Sequence, residues 1–280
     1  MIDVQPISGA IGAEIGGVDL AGHLSDETIA DIRRALLEHQ VIFFHDQDIT
    51  PDQHRAFGAR FGQLDIHPFI EPLDGYPEIL IVNKEPENKF NLGNSWHSDS
   101  TFYEEPPLGA LLYAKEIPPF GGDTMFTNLY LAYEALSDGM RAMLDGLNGV
   151  HSPGDVFGKS GRATARESGG ENSIKLRRSG DEITAIHPLV RTHPETGRKS
   201  LYVTKSYLRG LDGMTEDESR PILDYLLNHI VKPEFTCRFT WTKGAMAFWD
   251  NRCSLHYPIN DYHGYRRVMH RVTVKGDRPR

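Results

Sequence analysis

The sequence predicts a mostly β protein with peripheral helices, folded as a jelly roll (double-stranded β-helix) in one domain over residues 1–280. Three observations carry this. Short apolar or alternating runs of roughly four to eight residues recur between turns rich in Gly and Pro. Helical periodicity appears in only a few stretches, each opened by a capping residue. No linker or internal repeat divides the chain, and 280 residues lie within the range of a single β sandwich or barrel.

The elements follow in order. Residues 1–24 alternate apolar and small side chains (Val4, Ile7, Ile11, Ile15, Val18) between glycines, which reads as short strands and turns. Ser25 can cap a helix with Asp26 and Glu27 in its first turn and Ile29, Ile32, Leu36 and Leu37 along one face. Val41-Ile42-Phe43-Phe44 is short and wholly apolar, a buried strand. Thr50-Pro51-Asp52-Gln53 combines a capping box with Pro at the first helical position, opening a helix to about Phe61. A strand is expected at Ile79–Val82, then a polar loop from Lys84 to Gly93. Leu108–Ala114 and Asp123–Phe126 read as strands flanking the turn Pro118–Gly122. Helical pattern runs from Leu129 to Leu147 with a break near Ser137, which can cap a second piece.

From Gly158 to Asp181 the chain is polar and basic, and an excursion of that length reads as a lid, a binding loop or a solvated, disordered segment with no role. Strands are expected at Ile183–Arg191 and Leu201–Val203, around a turn at Pro194–Lys199. Thr215-Glu216-Asp217-Glu218 is another capping box, before a helix whose apolar face carries Ile222, Leu223, Leu226, Leu227 and Ile230. Strands at Thr236–Thr242, Ala245–Trp249 and Arg267–Lys275 complete the pattern.

Composition narrows the function. A net charge of −9 argues against a nucleic-acid or membrane-surface binder, yet leaves room for a small anion in a locally basic pocket. Cys237 and Cys253 are too sparse for a disulfide framework and are expected as reduced core thiols. No apolar run approaches the roughly 18 residues of a membrane span. The start, MIDVQPISGAIGAEIGG, has neither a basic nor an apolar leader region, so a cytoplasmic protein is expected. Apolar helix faces near the start could serve packing or assembly into a homo-oligomer.

The chemistry centres on Trp96-His97-Ser98-Asp99. In an extended segment His97 and Asp99 project to one face and can take adjacent positions on a metal. Two His and one carboxylate, with the remaining positions open, suit non-haem Fe(II) and oxygen activation. The expected third ligand is His256, although His67, His151, His187, His193 and His270 also lie in or near strands. Arg267 and Arg271 follow on one strand, on one face and about 13 Å apart. Two inward guanidiniums can address two anions, since arginine pairs bidentately with carboxylates, sulfonates and sulfates; the other reading is that both pair with Asp or Glu at the surface.

At these motifs the chain resembles the taurine dioxygenase family of Fe(II)- and 2-oxoglutarate-dependent oxygenases. The likeness runs through Gly12-Ala13-Glu14-Ile15, Trp96 to Phe102, Gly121-Gly122-Asp123-Thr124, His187 to Pro194, Trp249 to His256, and Arg267 to Arg271. The resemblance implies His97, Asp99 and His256 as iron ligands. It implies Thr124 and Arg267 as the pair holding the distal carboxylate of 2-oxoglutarate, the co-substrate used with O₂. Arg271 and His67 would meet the anionic head of the primary substrate, with Ser100 and Ile70 beside them. Taurine enzymes place a Tyr and an Asn where this chain carries Ile70 and Gly93, which implies a less polar substrate body. Val150–Gly158 and Gly197–Val203 also resemble the aryloxyalkanoate (phenoxypropionate) branch. Asp250 or Asn251 is expected to orient His256. Two other readings of the same residues are a zinc hydrolase and a non-catalytic anion-binding protein of the same fold.

Overall fold

The computed structural model describes residues 2–91, 93–157 and 183–280. The loop expected at 158–181 lies outside the described residues. The strands are β1 (Asp3–Pro6), β2 (Ala13–Gly16), β3 (Val41–Phe44), β4 (Pro72–Leu73), β5 (Tyr76–Lys84), β6 (Gly109–Glu116), β7 (Thr124–Asn128) and β8 (Asn148–His151). They continue with β9 (Ala185–Pro188), β10 (Val190–Thr192), β11 (Lys199–Leu201), β12 (Leu208–Leu211), β13 (Thr236–Phe239), β14 (Met246–Asp250), β15 (Ser254–Pro258) and β16 (Arg267–Val274). Helices are α1 (Asp26–His39), α2 (Pro51–Ala59), α3 (Leu129–Glu134), α4 (Asp138–Leu144), α5 (Gly154–Phe157) and α6 (Glu216–His229).

Two sheets form the sandwich. The larger has eight strands in the order β1-β2-β3-β14-β6-β16-β5-β4, and the smaller has the order β13-β7-β15. Side-chain alternation along the large sheet sorts its residues into two cores. Val41, Phe43, Ala110, Ala247, Trp249 and Met269 face inward and meet Phe126, Cys237 and Phe239 of the small sheet. Ile42, Phe44, Leu111, Met246 and Phe248 face outward and are covered by Ile32, Ala35 and Leu36 of α1 and Phe57 of α2. The apolar face of α1 is therefore used in packing, as is that of α2. The outer side of the small sheet is covered in turn: Leu255 packs with Leu129, Leu144, Leu223 and Leu226 from α3, α4 and α6.

Local signals place the helices. Ser25 accepts a hydrogen bond from the Thr28 N–H, and complete capping boxes open α2 at Thr50 and α6 at Thr215. Ser137 caps α4, so the helical stretch after Leu129 divides where the sequence predicts. Both cysteines are buried and unpaired, as expected.

Three expectations need correction. The strand expected at Ile79–Val82 runs on to Lys84, because β16 pairs with it as far as Arg267↔Lys84. Ile183–Arg191 is not continuous: β9 and β10 belong to different sheets, with Leu189 between them. The strand expected at Leu201–Val203 is instead Lys199–Leu201, where β10 supplies its ladder partners, whereas His256 does lie on a strand, β15, paired to β7.

Candidate active site

The segment before Ser100 reaches the small sheet through one antiparallel bridge, His97↔His256. Its two backbone hydrogen bonds, His97 N–H to His256 O at 3.0 Å and His256 N–H to His97 O at 2.8 Å, hold the imidazoles together. Asp99 is not in a strand, as the alternation argument assumed, but in the turn that follows, where Ser100 has φ 48. That turn swings the carboxylate back toward the two rings. Asp99 Oδ1 lies 4.0 Å from His97 Nε2 and 3.9 Å from His256 Nε2. All three residues are buried, and their ligand atoms fall within 4.8 Å of one another, so together they can hold a metal ion.

The surroundings fix the donor atoms of His97 and Asp99. His97 Nδ1 meets the Ser95 carbonyl at 2.7 Å, so it carries the proton and leaves Nε2 with a free lone pair. Burial lowers the pKa of both imidazoles and keeps them neutral, the form that binds metals. Burial pushes the Asp99 carboxyl up, but opposing contributions led by the Arg271 charge outweigh it and hold the group below the usual carboxylate range. Asp99 Oδ2 accepts from Trp249 Nε1 at 3.2 Å. Asn251 Oδ1 accepts from the Asp99 N–H at 3.2 Å and from Trp249 Nε1 at 3.0 Å.

The orienting role expected for Asp250 or Asn251 thus falls differently. Asn251 steadies Asp99, not His256. Asp250 pairs with Arg252 at 2.6 Å and with His193 at 3.1 Å. Cys253 completes a second group of metal-ligating types with His193 and Asp250. Asp250 has both oxygens engaged there, and burial drives the Cys253 thiol well up, so no free ligand set results.

Above the triad is a cavity of about 280 Å³. It is lined by each residue expected to hold the metal, the co-substrate or the substrate: His67, Ile70, His97, Asp99, Ser100, Thr124, His256, Arg267 and Arg271. Arg271, on β16 of the large sheet, reaches across to Asp99, its Nη1 donating to Oδ1 at 2.9 Å. Arg267 lies four residues back along β16, about 13 Å away. It is 5% exposed and flanked by the rings of Trp241 and Tyr262, yet its Nε and Nη2 find no acceptor among the described residues. A buried guanidinium with unused N–H groups is a place for a carboxylate. Thr124 Oγ1 accepts from Trp241 Nε1 at 2.9 Å, which frees the hydroxyl proton to be donated into the cavity.

His67 Nδ1 accepts the N–H groups of Phe69 and Ile70, so the proton sits on Nε2. Burial, then the Arg271 charge, bring its pKa down to about 3, which leaves a neutral donor at the cavity wall. Ile70 belongs to an apolar cluster with Phe69, Leu80, Phe102, Phe157 and Tyr207. His151 and His187 support this wall from behind by bonding Thr101 and Tyr103. Trp249, Trp241, Tyr207 and Tyr262 escaped the sequence reading, and Asn251 was expected to act on His256 instead of Asp99. Trp249 and Asn251 stood inside a motif already noted, whereas Trp241, Tyr207 and Tyr262 carried no local signal.

Gly93 packs against His97 in the left-handed region at φ 76. A Cβ there would stand 2.6 Å from His97 Cε1 and 2.9 Å from Nε2. Gly93→Ala is expected to displace the ring and weaken metal binding about tenfold or more, measurable by anaerobic Mn(II) titration. Unchanged affinity would show that the ring has room to move.

Comparison with known proteins places this geometry. The sequence model described as "Taurine catabolism dioxygenase TauD, TfdA family" matches residues 3–273. The chain is 34% identical over 277 residues to an alkylsulfatase of Acinetobacter baylyi, covering 99% of this chain and 86% of that protein. It is 31% identical over 279 residues to an (S)-phenoxypropionate/alpha-ketoglutarate-dioxygenase of Sphingobium herbicidovorans, covering 98% and 95%. A solved taurine dioxygenase from Burkholderia xenovorans superimposes with a TM-score of 0.83 at 40% identity, over 99% of this chain and 92% of that one. The chain belongs to the TauD, TfdA family, and it is an Fe(II)- and 2-oxoglutarate-dependent dioxygenase with a jelly-roll fold.

Proposed function

We propose that His97, Asp99 and His256 hold the iron, that Thr124 and Arg267 hold the distal carboxylate of 2-oxoglutarate, and that the primary substrate is a small organic anion with an apolar body. The donor set fits iron: two neutral imidazoles and one carboxylate that stays ionised. The unpaired N–H groups of Arg267 fit the co-substrate. When bound, iron would activate O₂ toward a C–H bond, with 2-oxoglutarate supplying two electrons and leaving as succinate and CO₂. The protein's own residues bind, orient and exclude water.

The observation that carries the substrate reading is Arg271. Its guanidinium stands 2.9 Å from a ligand carboxylate at the metal end of the cavity, facing a wall of Ile70, Phe157 and Tyr207. An anionic head held by Arg271, with His67 donating from Nε2 and Ser100 beside it, leaves the rest of the substrate on apolar side chains. The adjacent C–H then lies toward the metal. Hydroxylation at a carbon bearing a sulfate ester or aryl ether yields a product that collapses to a carbonyl compound. Taurine, whose ammonium would meet Ile70, fits less well.

A panel of taurine, alkyl sulfates, aryloxyacetates and both aryloxypropionate enantiomers, with O₂-dependent succinate formation as readout, tests this. Alkyl sulfates or aryloxyalkanoates are expected to outperform taurine. Taurine as the best substrate would refute the apolar-body reading while leaving the reaction class intact. The two anion sites and the family of the chain speak against the zinc-hydrolase and non-catalytic readings; oxygen-independent turnover would restore the former. The proposal treats residues 1–280 as a single domain, working in the cytoplasm. No helix among the described residues is long and apolar enough to cross a membrane. Assembly as a homo-oligomer belongs to the same proposal and is read by light scattering.

A further inference from the structure

One cation in the cavity is left unused by these assignments. Lys84 ends β5 and is 3% exposed, and its Nζ finds no hydrogen-bond acceptor among the described residues. It stands in register with Arg267 across β5 and β16. Directly opposed residues of an antiparallel pair project to the same face, and both side chains line the cavity with Thr124 and Tyr262. Lys84 Nζ lies 4.2 Å from the Tyr262 ring centre, and Arg267 Cζ lies 6.0 Å from the same ring.

Two buried cations side by side repel, and an ammonium removed from water without an acceptor is costly. Burial lowers the pKa of both. Carboxylates nearby are otherwise engaged. Asp123 Oδ2 accepts from Arg238 at 2.6 Å and Thr240 at 3.1 Å, and Glu85 pairs with Arg266 at 3.0 Å. The arrangement calls for an anion shared by both. Register decides which anion. Arg271 lies opposite Leu80, four residues along β5 from Lys84, about 13 Å away. Lys84 therefore sits at the Arg267 end of the cavity and not at the metal end.

We propose that Lys84 is a second binding cation for the distal carboxylate of 2-oxoglutarate, sharing it with Arg267 and Thr124. This rests on the reading of Thr124 and Arg267 as the co-substrate site.

The test is anaerobic titration of the Mn(II)-loaded protein with 2-oxoglutarate and with 2-oxopentanoate, the same chain without the distal carboxylate. Lys84→Met and Lys84→Gln should each weaken 2-oxoglutarate about tenfold or more, leave 2-oxopentanoate unchanged, and keep the unfolding temperature near that of the unaltered protein. Unchanged 2-oxoglutarate affinity, or equal weakening of both oxoacids, would overturn the proposal. So would a loss confined to the primary anion. If the unaltered protein bound the two oxoacids equally, the Thr124–Arg267 assignment itself would fail, and this proposal with it.

Discussion

Asp99→Asn is expected to reduce O₂-dependent succinate formation by at least a hundredfold, beyond the roughly 10–100-fold typical of losing an outer supporting partner. Both carboxylate oxygens act as acceptors. Oδ2 accepts from Trp249 Nε1 at 3.2 Å, while Oδ1 accepts from Arg271 at 2.9 Å and faces both imidazoles. An amide offers one oxygen. In either orientation its NH₂ meets a donor, either the indole N–H or the guanidinium beside the metal position. The site also loses its single negative charge, so metal affinity falls with turnover. Anaerobic Fe(II) titration alongside the succinate assay measures both. Wild-type behaviour in each would show that Asp99 is not a ligand and would revive a non-catalytic, anion-binding role.

Arg271→Ala separates substrate binding from metal binding. Removing one partner of a buried charge pair costs roughly 2–5 kcal/mol, which corresponds to about 1.5 to 3.5 orders of magnitude in kcat/KM for the primary anion. The ligand geometry rests instead on the His97–His256 bridge and the Trp249–Asn251 contacts, so Fe(II) and 2-oxoglutarate affinities should hold within a fewfold range. Discrimination between an anionic substrate and its neutral analogue should collapse. Equal loss of iron would mean that Arg271 is needed to position Asp99, its 2.9 Å partner, and that its substrate role is misplaced.

Much of the fold could be read locally. Ser25, Thr50, Ser137 and Thr215 cap the helices they announce, because a cap bonds backbone groups two or three residues away. The buried strand at Val41–Phe44 is where its apolar run predicts. Strand ends were less legible. Asn83 and Lys84 look like loop residues and join β5 only because β16 supplies their ladder partners. His256 followed a turn and gave no strand pattern of its own, yet β7 and the bridge to His97 make it one.

The site divides in the same way. By itself the sequence pointed to the chemistry: residue type and short spacing suggested His97 and Asp99 as a metal pair and Arg267 and Arg271 as anion holders. The resemblance added Thr124 and Ile70 and favoured His256 over the other histidines. Only the tertiary structure decided how the residues are held. It put Asp99 in a turn instead of a strand, gave Asn251 and Trp249 to that carboxylate, and turned Arg271 onto its oxygen. It also set Lys84 beside Arg267. These contacts join residues about 150 positions or more apart, and sheet register sets them. Register is fixed by hydrogen-bonded pairing across the whole sandwich, a long-range quantity that no local stretch of sequence encodes.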